Sequence, residues 1–236
     1  MTRLANQDRR QRIALLAGLA IGSIALWQTY WGSIALYPFT ILSTWFHEMG
    51  HGLVAMAMGG ALEYLVIHPD GSGVAYSTRP VALVDIPGAL IAAGGPLGPP
   101  VAGSGLILAS RNRRATRFAL YALGSVLLLS TLIWVRSVTG WVVLPALGLA
   151  ILSIATRAKP PVQTFAAQFL GVQACISAWR QFDYLFSSGG TVGGVSQRSD
   201  TSAIAQVLLL PYWFWGAVIS LAIAAILYAS VSRALR

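Results

Sequence analysis

Residues 41–58 read ILSTWFHEMGHGLVAMAM, an apolar run interrupted by His47, Glu48 and His51. Histidines four positions apart lie on one face of a helix, one turn from each other. Both imidazoles can therefore reach one metal ion, and zinc accepts nitrogen ligands at about 2.0–2.1 Å. Glu48 stands beside His47, where it can take a proton from an attacking water and deliver it to a leaving amine. The spacing predicts a helix that carries a Zn²⁺ site, with Glu48 as the catalytic acid and base.

The composition of the chain predicts that this helix lies in a membrane. Of 236 residues, 56% are apolar and only 10% are charged, whereas soluble domains have about 25% charged residues. An ionisable side chain inside a membrane helix costs about 2.5–3.5 kcal/mol on insertion scales, and a bound cation would offset that cost. We therefore predict an all-α polytopic protein with about six transmembrane helices, forming a single integral-membrane domain over residues 1–236.

Apolar runs separated by basic clusters define the predicted transmembrane helices. The predicted spans cover residues 13–36, 38–58, 118–135, 139–156, 162–186 and 203–232. A basic tail at residues 1–12 and arginines at 111–117 and 233–236 mark the cytoplasmic side by the positive-inside rule. Both termini are expected in the cytoplasm, and the first apolar run is expected to be a retained span rather than a cleaved signal.

The net charge of +9 does not indicate nucleic-acid binding. The arginines occur in short clusters between apolar runs, as they do in the cytoplasmic loops of membrane proteins, so the predicted partner is the lipid bilayer. Cys175 is the only cysteine and lies in an apolar run. We expect it to be a small buried hydrophobic residue.

Two segments depart from the helical pattern. Residues 61–80 contain Asp70-Gly71 between two apolar runs, which predicts a small β-hairpin near the membrane surface. Residues 81–100 contain Pro96, Pro99 and Pro100, and such closely spaced prolines break a regular helix. Because the positive-inside assignment puts residues 60 and 111 on the same side, we expect this Gly/Pro-rich segment to be partly re-entrant.

A zinc site of this kind needs a third protein ligand and one open position. We favour Asp183, near the end of the 162–186 span, with Asp200 as the alternative, because a carboxylate buried there needs a partner. Asp183 could instead pair with Arg180 one turn earlier, and Asp200 could cap the last helix. The other candidates lie in the tail, in the hairpin or in apolar runs: Asp8, Glu63, His68, Asp70, Asp85 and Cys175.

Several of these features together resemble a known family. The motif at 47–51, Gly59-Gly60, the hairpin and the segment AGGPLG at 93–98 look like the site-2-protease group of intramembrane zinc metallopeptidases. They are most similar to its bacterial peptidase-like branch. The likeness runs from about residue 38 to residue 100, the predicted zinc-motif core, and resumes within 162–232, the helices that carry the candidate third ligand.

The resemblance implies His47 and His51 as zinc ligands, Glu48 as the catalytic residue, a membrane-protein helix as substrate and a bacterial cytoplasmic membrane as location. In the wider family an aspartate in a Leu-Asp-Gly motif of a later helix is the third ligand. This sequence has no Leu-Asp-Gly, and Phe182-Asp183-Tyr184 matches it only in part.

Three functions follow as hypotheses. The first is an intramembrane zinc metalloprotease that cleaves locally unwound membrane helices, held at the edge of the 61–80 hairpin. The alternative is a catalytically inactive zinc-binding scaffold or regulator, motivated by the missing Leu-Asp-Gly. A small transporter ranks last, because transporters carry broken helices in corresponding places of two halves and only one such segment is evident. The oligomeric state stays open.

Overall fold

The structure, a computed structural model, describes residues 2–80 and 84–234, with side chains from residue 10 onward. Within these ranges helices dominate, and two short hairpins interrupt them. The helices are α1 Thr2–Trp27, α2 Tyr30–Ala57, α3 Ile86–Ala109, α4 Arg113–Ile133, α5 Val138–Arg157, α6 Pro160–Arg180, α7 Phe182–Leu185, α8 Asp200–Leu208 and α9 Tyr212–Ala234; the strands are β1 Ala61–Ile67, β2 Gly73–Thr78, β3 Gly189–Val192 and β4 Val195–Arg198.

The first two predicted spans form a bent pair of helices. The break falls at Gln28 and Thr29, and the Thr29 hydroxyl caps α2 by accepting a hydrogen bond from the Gly32 amide at 3.0 Å. The boundary predicted at residue 38 is therefore misplaced, because a threonine cap nine residues earlier starts the helix and Pro38 lies inside it. The two helices differ in direction by 116°, so together they supply one broken span or a re-entrant loop.

The Gly/Pro-rich segment differs from the re-entrant form predicted for it. From Ile86 the chain forms one continuous helix, α3, with Asp85 as its cap, and residues 81–83 lie outside the described residues. The helix passes through Pro96, Pro99 and Pro100, all three of which are buried. Prolines are tolerated in membrane helices where neighbouring helices enclose the backbone groups that they leave free, and α3 packs against α2, α6, α8 and α9.

The protein is an all-α polytopic membrane protein with small β-hairpins. In the described ranges α3, α4, α5 and α9 are long and apolar enough to cross a membrane, which gives four spans, or five if the bent pair counts as one span. The remaining predicted span, 162–186, corresponds to α6, which has 21 residues but is not among these candidates. Its buried face carries Gln163, Gln168 and Gln173, which lower its hydropathy.

The basic segments meet at one end of the helix bundle. Leu15 of α1 shares a cavity wall with Arg113 and Pro160, and Leu16 packs in one cluster with Ala234. The basic tail, the 111–117 cluster and the C-terminal end of α9 therefore lie together, as the positive-inside rule requires of loops on one side. That this side is cytoplasmic stays a prediction.

The predicted hairpin at 61–80 is confirmed as β1 and β2, paired antiparallel from Ala61↔Thr78 to Ile67↔Gly73. The Gly/Ser-rich loop at 187–200 contains a second hairpin, β3–β4, which the sequence analysis missed. Its turn uses Gly193 and Gly194 at φ +56° and +82°, a conformation that favours glycine. The predicted last span, 203–232, is interrupted before Pro211 and forms α8 and α9.

Candidate metal centre

The two motif histidines meet on one face of α2, as their spacing predicts. Their ring centres lie 4.8 Å apart, and the α2 residues from Ile41 to Gly50 are all buried. A run of apolar side chains on both sides of the motif drives this burial. The helix therefore presents two imidazoles to the interior of the protein.

Asp200 completes the cluster from the first turn of α8. Its carboxylate oxygens lie 3.2 Å from His47 Nε2 and 3.4 Å from His51 Nε2. The expected capping role belongs to Ser199 instead, whose hydroxyl accepts from the Ser202 amide at 3.2 Å. Because Ser199 caps the helix, the Asp200 carboxylate can turn toward the histidines.

Two further hydrogen bonds fix the start of α8. The Ser199 hydroxyl donates to the Ser187 carbonyl at 2.6 Å, and the Thr201 hydroxyl donates to the Leu185 carbonyl at 3.0 Å. Both side chains are fully buried. These bonds tie α8 to the segment before the second hairpin, and so hold Asp200 opposite α2.

The structure does not bring Asp183, the favoured third ligand, to the histidines. Asp183 lines a separate cavity with Arg180 and Trp27, because it lies in the short helix α7, beyond the end of α6. Three of the other candidates have contacts elsewhere. Asp70 accepts from Ser72, Asp85 pairs with Arg79 at 2.7 Å, and the Cys175 sulfur packs close to Gly103.

One hydrogen bond fixes the orientation of the His51 ring. His51 Nδ1 lies 2.7 Å from the Ile91 carbonyl oxygen. A carbonyl can only accept, so His51 Nδ1 donates to it, and Nε2 is the ring nitrogen that faces Asp200 and is available to bind a metal. His47 Nδ1 and Asp200 Oδ2 are buried without a hydrogen-bond partner among the described residues.

This arrangement fits a zinc ion. Asp200 Oδ2 is buried without a hydrogen-bond partner among the described residues, and a bound cation would compensate for that burial. Tetrahedral zinc holds N and O ligands at about 2.0–2.2 Å, which separates neighbouring ligand atoms by about 3.3 Å. The distances of 3.2 and 3.4 Å agree with that separation, and the three ligand atoms all lie within 4.8 Å of one another.

Gly95 of α3 makes room for the cluster. A Cβ built on Gly95 would overlap the His51 imidazole and lie 2.7 Å from His47 Nε2. Gly95 belongs to the AGGPLG segment at 93–98, which is part of the family resemblance. The absence of a side chain at this position therefore leaves space on the side of the imidazoles that faces α3.

Glu48 lies in the wall of the same cavity, which has a volume of about 570 Å³. Its carboxylate is buried under β2, where a Cβ built on Gly73 would lie 3.0 Å from Glu48 Oε1. The other walls come from α3, β3 and α8. The cavity thus brings a buried carboxylate, two imidazoles and the edge of a β-strand together.

Tyr184 also lines the cavity, although no sequence pattern distinguishes it from the other seven tyrosines. Its hydroxyl donates to the Arg198 carbonyl at 3.3 Å. Burial raises the pKa of the Tyr184 phenol well above its usual range, and the nearby charges of Asp200 and Glu48 raise it further. Tyr184 therefore stays protonated and keeps a hydrogen-bond donor at the cavity.

Of three comparisons with known proteins, one gives a match. Searches of curated proteins and of solved structures found no match. A family model described as Peptidase M50B-like matches residues 16–230, which include the histidine motif, both hairpins and Asp200. The chain therefore belongs to the Peptidase M50B-like family, within the site-2-protease group that its sequence resembles.

Proposed function

We propose that this protein is an intramembrane zinc metallopeptidase. The observation that carries the proposal is the convergence of Asp200 on His47 and His51 in a cavity that also contains Glu48. Family membership supports a peptidase. The proposed zinc ligands are His47, His51 and Asp200, which replaces Asp183 as the preferred third ligand.

Each residue of the site would have its own role in peptide-bond hydrolysis. When bound, zinc supplies Lewis acidity to a carbonyl and makes a water more acidic. Glu48 accepts the proton of the attacking water and returns it to the leaving amine. Ile91 holds the His51 ring through its carbonyl, and Gly95 keeps the space beside both imidazoles open.

The substrate would bind in extended form along β2. The outer edge of β1 is partly occupied, since Leu65 bonds to Trp134 and Arg136. The outer edge of β2 is open to the cavity, and residues 73–77 line it above Glu48. A peptide bond within a helix hides its carbonyl, so a membrane-helix substrate would unwind locally and pair with this edge. We place the enzyme in a bacterial cytoplasmic membrane, with both termini cytoplasmic.

The Glu48→Gln variant tests the proposal. The purified protein is reconstituted in liposomes with a panel of single-span membrane proteins, and products are identified by mass spectrometry. Glu48→Gln should retain zinc and lose cleavage by about 10²–10⁴-fold, the contribution of a positioned acid and base. Glu63→Gln, which changes an exposed glutamate of β1, should cleave like the wild type.

Two results would contradict the assignment. Undiminished cleavage by zinc-loaded Glu48→Gln would remove Glu48 from the chemistry. A zinc-loaded wild type that cleaves no member of the panel would favour the inactive scaffold.

A further inference from the structure

A second cavity, of about 330 Å³, lies between α1 and the end of α6. It shares no lining residue with the metal cavity, and the proposed peptidase chemistry makes no use of it. Its wall combines apolar and aromatic side chains with two opposite charges, Arg180 and Asp183. The combination of a cation, an anion and apolar surface in one cavity suggests a ligand with the same three features.

Arg180 is held in position by neutral groups. Its guanidinium carbon lies 3.8 Å from the centre of the Trp27 ring, and Nη1 donates to the Thr40 hydroxyl at 3.3 Å. No carboxylate of the described side chains lies within 4.0 Å of its nitrogen atoms. The stacking on Trp27 is a cation–π contact, which occupies no N–H group. The guanidinium therefore keeps N–H donors free for an anion.

Asp183 contributes the opposite charge to the same cavity. Its spacing from Arg180 on the chain predicted an ion pair between them, but the structure contains no such pair. The carboxylate is exposed. The two charges therefore line one cavity without neutralising each other, which leaves both available to a bound zwitterion.

Exposed aromatic rings place this cavity at the level of lipid headgroups. Trp31 is 78% exposed and Trp179 is 73% exposed, and Tyr30 and Phe182 are also exposed. Tryptophan and tyrosine concentrate at membrane–water interfaces, where one part of the ring is in contact with lipid and another with water. Trp179 and Phe182 line the cavity, and Tyr30 and Trp31 lie at the start of α2, just after the end of α1.

We propose that this cavity binds the headgroup of an ethanolamine phospholipid. Arg180 would bind the phosphate, Asp183 would accept hydrogen bonds from the ammonium group, and Ile24 and Ile176 would contact the first acyl carbons. A glycerol headgroup has no cation for Asp183. A choline headgroup has a cation but no N–H to donate, so the ethanolamine lipid satisfies both charges best.

The test measures which lipids the purified full-length protein retains. The protein is exchanged into detergent with equal amounts of phosphatidylethanolamine, phosphatidylglycerol and phosphatidylcholine, and bound lipid is counted by native mass spectrometry. The wild type should retain the ethanolamine lipid about tenfold better than the glycerol lipid, as expected for one charge-assisted hydrogen bond.

Each charge has its own expected effect. Asp183→Asn should abolish the preference for ethanolamine over glycerol lipid, without weakening retention of the glycerol lipid. Arg180→Gln should weaken retention of both the ethanolamine and the glycerol lipid. Arg180→Lys keeps the charge and should bind both lipids like the wild type. The control variants are Glu63→Gln and Arg117→Gln; Arg117 also lies over an aromatic ring, that of Tyr121, but outside the cavity.

Several outcomes would overturn the proposal. An unchanged ethanolamine-to-glycerol ratio in Asp183→Asn would exclude the carboxylate as the ammonium partner. Wild-type retention in Arg180→Gln, or an equal loss in Arg117→Gln, would exclude a specific phosphate site. Because the readout is bound lipid, the result does not depend on peptidase activity or on zinc.

Discussion

At the scale of single residues, the metal centre depends on which aspartate faces the two histidines. Asp200 lies at 3.2 and 3.4 Å from the imidazole nitrogens, whereas Asp183 lines another cavity. Each is the only acidic residue in the first turn of its helix. Their local sequence therefore does not show which of the two is the metal ligand. The difference between them is the position of α8 relative to α2.

Zinc analysis of two variants distinguishes the roles of Asp200 and Asp183. Asp200→Asn should lose most of its bound zinc, because the amide is a weak ligand and leaves two imidazoles without an anion. Asp183→Asn should bind zinc like the wild type. Elemental analysis of the purified variants, with zinc measured per protein, checks both. If the Asp183 variant is the one that loses zinc, the ligand set proposed here is wrong.

Gly95 gives a second prediction at this scale. In Gly95→Ala the new methyl group would overlap the His51 ring, so the imidazole must turn away from the metal position. We expect zinc affinity to fall by about 10–100-fold, the usual effect of disturbing how a ligand is held. Competition with a fluorescent zinc chelator measures the affinity. Gly105→Ala on the same helix is the matched control, because nothing lies within 4 Å of a Cβ there, and an equal loss in it would contradict the explanation.

At the scale of elements, the close crossing of α2 and α3 positions the motif. A Cβ on Gly98 would overlap the Phe46 carbonyl oxygen, and one on Gly94 would lie 2.7 Å from the Gly50 carbonyl oxygen. Small residues at these positions let the two backbones approach, as is typical of membrane helix pairs. The same approach brings the Ile91 carbonyl to His51.

Gly98→Ala tests this crossing. The methyl group meets backbone rather than a movable side chain, so the helices must separate at a cost of about 1–3 kcal/mol. We expect a lower thermal unfolding midpoint in detergent and weaker zinc binding. Gly22→Ala, in α1 with nothing within 4 Å of its Cβ, should change neither quantity. If Gly98→Ala unfolds at the same temperature as the wild type, the helix crossing can accommodate a methyl group and the explanation is wrong.

At the scale of the whole molecule, the two hairpins approach each other at the metal cavity. The Gly193 amide donates to the Ser72 hydroxyl at 3.4 Å, and a Cβ on Gly193 would overlap the His68 imidazole. Strands β2 and β3 both line the cavity. The contact between the hairpin turns consists of one long hydrogen bond and the packing of the His68 ring against Gly193, which can separate at little cost.

A reversible cross-link tests whether the hairpins must separate for substrate to bind. The double variant Ser72→Cys and Gly193→Cys is made in a His68→Ala background, because the His68 ring would overlap a Cβ at residue 193. It should form a disulfide across the two turns under oxidising conditions. We expect cleavage to stop when the disulfide forms and to recover on reduction, because the substrate strand needs access to the edge of β2. The two single-cysteine variants are the controls. Cleavage that persists in the oxidised double variant would show that substrate enters by another route.

The sequence alone determined the membrane class, the helix that carries His47, Glu48 and His51, and the hairpin around Asp70-Gly71. These follow from composition, from a four-residue spacing and from a two-residue turn, all of which act over short stretches of chain. Only the tertiary structure decided that Asp200 rather than Asp183 faces the histidines, that α3 continues through its prolines and that a second hairpin borders the cavity. The physical reason is that each of these depends on contacts between segments far apart in the chain: α8 is placed by buried hydrogen bonds to the segment at 185–187, and the prolines of α3 are enclosed by helices from both halves of the protein.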